Sequence, residues 1–270
     1  MAERDFLRET LRAYPAYASF ALWRAVELRL LSQVDFPEPV LDIGCGEGGF
    51  ARLMFGAGRE ITGLDLEQRE LRLAAQAGAY RDIVRADATR LPFPDRTFAS
   101  CLSNCVLEHI PDDVGVVREI SRVLRPGAPM AITVPAPAIK DCLYLYHALL
   151  GQGRTGEAED YLVQYDLRFQ HLHYRTEDEW RGIFATAGLK VTQVTPYLPA
   201  PAVSVWDRLE NYLMQPLAFI RSHWKLLGYA LIPPPVRRAL WHTYLRRYYL
   251  MDAAPGQPHG CWLIRAQKPD

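Results

Sequence analysis

The chain has 270 residues, 49% of them apolar and 23% charged, the proportions of a folded globular protein with room for one large domain or one domain with additions. Lys plus Arg equals Asp plus Glu at 31 each, so overall charge makes no case for a nucleic-acid partner. The five cysteines, Cys45, Cys101, Cys105, Cys142 and Cys261, are odd in number and form no C-x-x-C pair, which argues against a disulfide framework or a structural zinc site. The charged start MAERDFLRET lacks the apolar stretch of a secretory signal. No apolar run reaches the ~18 residues a spanning helix needs. The expected location is therefore cytoplasmic, with reduced thiols.

In chain order, residues 5–33 read as helical, with Leu7, Leu11, Tyr14 and Tyr17, then Leu22, Val26 and Leu30, at helical spacing and Pro15 dividing them. Pro39 to Ile43 is a short buried strand ending in glycines, followed by a helix from Phe50 to Phe55. Glu60 to Asp65 is the second strand, Glu67 to Ala77 a helix, and Asp82 to Ala86 the third strand. A turn-rich link from Leu91 leads to a fourth strand at Phe98 to Ser103, a helix at Val114 to Leu124 and a fifth strand at Pro129 to Val134. Thr176 with Glu179 forms a capping box for a helix to Ala187, and strands at Leu189 to Val194 and Cys261 to Ala266 complete the series. Strands alternating with helices over 38–135 imply parallel βαβ units.

The segment Val40-Leu-Asp-Ile-Gly-Cys-Gly-Glu-Gly-Gly49 is the most informative. Its glycines let the backbone turn sharply and approach a ligand at a helix N-terminus. Gly44, Gly46 and Gly49 also satisfy the G-x-G-x-x-G dinucleotide pattern, and Asp65 sits about twenty residues on, where an NAD site places its ribose acid. Charge separates the two readings, because a pyrophosphate would be repelled by Asp42 and Glu47 while a sulfonium and an ammonium are favoured. Asp65 closes strand two, Asp87-Ala88 follows strand three, Ser103-Asn-Cys-Val-Leu-Glu-His-Ile110 follows strand four, and Leu124-Arg-Pro-Gly127 precedes strand five. Singly, Asp65 reads equally as a helix cap, Asp87 as a turn residue and Cys45 as packing.

Together these segments resemble the class I SAM-dependent (S-adenosylmethionine-dependent) methyltransferases, of the small-molecule, methyltransferase type 11-like kind. The resemblance covers 38–135 well and 172–196 and 260–268 loosely. It implies an α/β, Rossmann-like seven-stranded sheet with helices on both faces and the last strand antiparallel, plus two mainly helical inserts. It also implies SAM as cofactor, held by Asp42, Gly44, Cys45, Gly46, Asp65, Leu66, Asp87, Ala88 and Asn104. Asp65 would meet the ribose hydroxyls and Asp87 the adenine amino group. The expected activity is methyl transfer to a small or lipid-like organic acceptor. The alternatives are a SAM-binding interaction module without catalysis and an NAD-binding oxidoreductase. No N/D-P-P-Y segment of the DNA amino-methylating kind follows strand four, and no nucleic-acid partner is expected.

Methyl transfer requires no metal, and none is expected; no H-E-x-x-H motif occurs, although two facing histidines could hold an ion. His109 is the first candidate general base, against the reading of a packing or capping residue. His171 and His173 share a face of an extended segment, and His173 is the second catalytic candidate.

The expected organisation is N-terminal helices at 1–35, a SAM-binding core at 36–135, a first insert at 136–171, continued core at 172–196, a helical aromatic insert or cap at 197–258 and a final core strand at 259–270. The second insert holds Trp206, Tyr212, Arg221, Trp224, Lys225, Tyr229 and Trp241. From Pro235 its pattern is helical, with Leu240, Trp241, Tyr244, Leu245 and Tyr248 on one face and Arg238, His242 and Arg246 opposite. Three readings stay open: a packed lid, a pocket for a bulky apolar acceptor, and an interfacial helix at 236–251 touching anionic membrane. The inserts are expected to roof the active site. Oligomeric state is left undetermined.

Overall fold

A computed structural model describes residues 4–211, 232–254 and 256–270. Tyr212, Arg221, Trp224, Lys225 and Tyr229 of the second insert lie outside the described residues. The chain divides into two compact units, one of Leu30–Pro137, Gln170–Thr195 and Cys261–Asp270, the other of Met1–Arg29, Ala138–Phe169 and Pro196–Gly260.

The strands are β1 (Val40–Ile43), β2 (Ile61–Asp65), β3 (Asp82–Arg85), β4 (Ser100–Asn104), β5 (Pro129–Pro135), β6 (Lys190–Pro199) and β7 (His259–Gln267). They form one seven-stranded sheet in the order β3-β2-β1-β4-β5-β7-β6. β1 pairs parallel with β2 and β4, β4 parallel with β5, and β5 antiparallel with β7. Strands at the centre of a parallel sheet are covered on both faces, which is why β1 reads Val-Leu-Asp-Ile and is buried throughout. The order reverses between β1 and β4, and the C-terminal ends of these strands flank the crevice where open α/β sheets bind ligands.

The core of the first unit packs Leu41, Ile43 and Ile132 of the sheet with Val116, Val117 and Ile120 of α5 (Asp113–Val123) and with Trp180 and Phe184 of α8 (Glu177–Thr186). Phe184 is fully buried, and truncating such a side chain to Ala costs ~3–5 kcal/mol. The expected capping box is present: the Glu179 amide donates to Thr176 Oγ1 at 3.3 Å and the Thr176 amide to Glu179 Oε2 at 2.7 Å.

Some boundaries differ from the sequence reading. β4 begins at Ser100, because Phe98 forms only an isolated bridge to Leu124. β6 runs on through Pro196 to Pro199. It lies at the edge of the sheet, where a missing amide leaves no interior ladder bond unmade.

The other unit joins the N-terminal helices and both inserts, which the sequence reading kept apart. Its helices are α1 (Phe6–Ala13), α2 (Ala18–Leu31), α6 (Tyr144–Gly151), α7 (Thr155–Phe169), α9 (Ala200–Leu209) and α10 (Pro234–Tyr249), with Pro15 separating α1 from α2. Buried Asp207 on α9 ties the end of its own helix to two others. It accepts from the Leu145 amide of α6 at 2.9 Å, from the Tyr161 hydroxyl of α7, and from Asn211 Nδ2 at 2.9 Å. Burial pushes its carboxyl above the ordinary range, partly offset by these donors.

α10 corrects one expectation. Leu245 and Tyr249 are its buried residues, while Leu240 is 59% and Tyr244 39% exposed. His242, placed by periodicity on the polar face, meets Asp5 at 2.8 Å. That hydrogen bond and the packing of α1 go with the rotation of α10 about its axis. Among the described residues, no helix is long and apolar enough to cross a membrane.

Candidate functional site

Two glycines shape the turn after β1. Gly44 has φ +69°, and a Cβ there would lie 2.3 Å from Val106 Cγ2, so only glycine fits. Gly46 has φ +52°, and a Cβ there would meet nothing within 4 Å, so open space lies beside its half-buried backbone. Gly48 caps α3 (Gly49–Phe55) in the left-handed conformation.

The acids sit where strands end. Asp65, closing β2, accepts from the Gly46 amide through Oδ2 and from the Glu67 amide through Oδ1, both at 2.9 Å. Asp87 follows β3 and uses Oδ1 for the Thr89 amide and hydroxyl, both at 2.8 Å, which holds its carboxyl below the usual range. Asp42 is buried within β1, and Tyr80 donates to its Oδ2 at 2.7 Å. Desolvation raises the Asp42 carboxyl to about 7, against the Tyr80 hydrogen bond and with help from the charge of Asp65. The same burial, beside Asp42, pushes the Cys45 thiol up, which removes it as a nucleophile.

A cavity of about 510 Å³ opens at these strand ends, within the range of small-molecule and cofactor pockets. Gly44, Asp65, Leu66, Asp87, Ala88 and His109 line it. Asp42, Cys45, Gly46 and Asn104 lie outside the lining: Asn104 Oδ1 accepts from Thr133 Oγ1 at 2.6 Å, and Cys45 packs with Leu71 and Ala74. His173 is also outside it, with Nε2 donating to the Ile110 carbonyl at 3.0 Å.

Sequence reasoning did not single out Cys105, Val106 or Asp112, which also line the cavity. Cys105 adopts φ +54°, and its amide is held by the Thr133 carbonyl and hydroxyl at 3.0 Å. A left-handed non-glycine residue costs energy and clusters at functional sites, but a lone cysteine after a strand gives no sequence signal of it. Among the described residues, the lining contains Asp65, Asp87 and Asp112 and no Lys or Arg.

His109 lies on a single 3-10 turn, Leu107–His109, and Nδ1 donates to the Gln170 carbonyl at 3.1 Å. In the neutral ring that bond places the proton on Nδ1 and the lone pair on Nε2. His171, from the same returning segment, places its ring centroid 5.4 Å from that of His109.

Residues 41–132 match the family model described as "Methyltransferase domain". An uncharacterized methyltransferase of Mycobacterium sp. (strain JLS) is 42% identical over 88 residues, 33% of this chain and 35% of that protein. A malonyl-[acyl-carrier protein] O-methyltransferase of Pseudescherichia vulneris is 38% identical over 100 residues, 37% of this chain and 40% of that protein. The match therefore spans well under half the length of these relatives. A solved geranyl diphosphate methyltransferase in complex with SAM has a TM-score of 0.56 at 16% identity over 93% of this chain and 90% of that one, a likeness of fold. Glycine turn, strand-end acids, sheet order and sequence match agree: over residues 41–132 the chain carries the domain of the class I SAM-dependent methyltransferases.

Proposed function

We propose that the chain transfers a methyl group from SAM to a small or lipid-like organic acceptor. The observation that carries this reading is the charge of the cavity. Three aspartates line it, and no Lys or Arg stands among its described lining residues. Such a site repels a pyrophosphate and favours a ligand bearing a sulfonium and an ammonium. The space in front of Gly46 and the remaining lone pairs on Asp65 and Asp87 fit a nucleoside with a ribose diol and an exocyclic amine.

Bound SAM would supply a carbon already activated by positive sulfur. The chain's own residues would do the rest. Asp65 and Asp87 orient the nucleoside, Ala88 leaves room for its ring, and Leu64 and Val106 exclude water. His109, with Nε2 available at the cavity, stands where an acceptor proton would leave.

Two observations support the acceptor class. The Pseudescherichia relative is named for malonyl-acyl-carrier-protein O-methylation. α10 exposes Val236, Leu240 and Tyr244 on a helix that also carries Arg246 and Arg247, a composition suited to a lipid interface. Incubation with methyl-labelled SAM and separately with polar and lipid extracts, followed by mass analysis, tests the reading. Labelled product in either extract is expected, and its absence from both contradicts transfer to this class.

A further inference from the structure

We propose that Glu108, His109 and His171 form a binding site for one divalent transition cation of the Zn²⁺ class, at the rim of the cavity. One ligand atom from each residue lies within 4.8 Å of the other two. Two imidazoles and a carboxylate are a ligand set used by catalytic zinc, which leaves a fourth position open. Zinc bonds of ~2.0–2.2 Å require the three side chains to close in by about 1 Å.

The hydrogen bonds around the cluster supply an independent argument. A histidine that binds metal through Nε2 has its other nitrogen held by a hydrogen-bond partner. His109 Nδ1 donates to the Gln170 carbonyl at 3.1 Å. His171 Nδ1 lies 2.9 Å from the Tyr174 hydroxyl, which accepts from it in the tautomer that binds metal.

The backbone builds the site as well. The Leu172 amide donates to the Glu108 carbonyl at 2.8 Å, so the segment bearing His171 is fastened to the turn bearing Glu108 and His109. Just beyond, Arg175 donates to both oxygens of buried Asp113 at 2.6 and 2.8 Å and anchors the same segment. Glu108 itself is buried, and its Oε1 lies 3.9 Å from His109 Nε2.

Metal binding does not depend on the proposed activity; only its use does. Under that reading, a cation beside the cavity would lower the proton affinity of a coordinating acceptor hydroxyl; His109 would then serve as a ligand in place of the base role given it above, and the hydroxyl proton would pass to solvent.

The test uses the full chain, cleared of metal with a chelator and without SAM. Co²⁺ is followed by visible absorption and Zn²⁺ by calorimetry. One equivalent of each is expected to bind. His171→Ala and His109→Gln are each expected to weaken binding at least tenfold, while His147→Ala, outside the cluster, leaves it unchanged. Should either cluster variant lose its circular dichroism signature, Tyr174→Phe, which removes the hydroxyl beside His171 Nδ1, is expected to weaken binding severalfold. Absence of saturable binding by the wild-type chain, or wild-type affinity in the folded cluster variants, overturns the proposal. A parallel SAM titration reports separately on the cofactor reading.

Discussion

The Gly46 amide donates to Asp65 Oδ2 at 2.9 Å, fastening the turn after β1 to the acid that ends β2. One carboxylate therefore shapes the loop and also faces the cavity. Asp65→Ala is expected to lower SAM affinity at least tenfold, about 1.4 kcal/mol, in calorimetric titration. Asp65→Asn should recover only part of the loss, since an amide keeps one acceptor oxygen but no charge. Undiminished affinity in the alanine variant would remove Asp65 from the site.

The two glycines of the turn separate folding from binding. Gly44→Ala places a methyl 2.3 Å from Val106 at a φ of +69°, and strain plus overpacking should cost about 1–3 kcal/mol in urea unfolding. Val106→Ala in the same chain should restore part of it. Gly46→Ala meets no neighbour, so its stability loss should be smaller, about 1 kcal/mol from positive φ alone, while SAM binding suffers more. Equal stability losses in the two variants would contradict the geometry.

Asp42 gives a pH signature. Its folded carboxyl is raised to about 7 from an ordinary 3.8, mainly by burial. The folded state then holds a proton that the unfolded chain has released, so stability falls as pH rises between those values and levels off above them. Asp42→Asn removes this dependence, and its melting temperature relative to wild type should be higher at pH 8 than at pH 5. A gap that is constant or shrinks with pH would show that Asp42 is ionised throughout.

How much of this was legible in the chain follows from distance along it. The strands, the glycine turn and Asp65 and Asp87 are set by neighbours a few residues away, and periodicity and turn chemistry report them. The meeting of His109 with His171 depends on a backbone contact between Glu108 and Leu172, which no local pattern encodes. Asn104 lies in the expected segment, yet Thr133 of the neighbouring strand holds its side chain. The rotation of α10 goes with its packing on α1 and with the contact of His242 and Asp5, at opposite ends of the chain. Local amphipathicity could not rank that pair against a stripe of Leu240 and Tyr244.

Arg175 and Asp113 offer a test of the segment that carries His171. Asp113 is buried, and Arg175 meets both its oxygens. Arg175→Met would strand a buried carboxylate, and breaking such a pair costs ~3–5 kcal/mol. Asp113→Asn with Arg175→Met should be milder than Arg175→Met alone, measured by chemical denaturation. A negligible effect of the single change would mean the pair does not anchor the segment.

The central claim is that the acidic cavity takes a sulfonium nucleoside and not a dinucleotide. Calorimetric titration of the wild-type chain with SAM, with its demethylated product and with NAD⁺ tests it most directly. The account predicts saturable one-to-one binding of SAM and of the demethylated product, and no heat of binding with NAD⁺. Binding of NAD⁺ with none of SAM would contradict it.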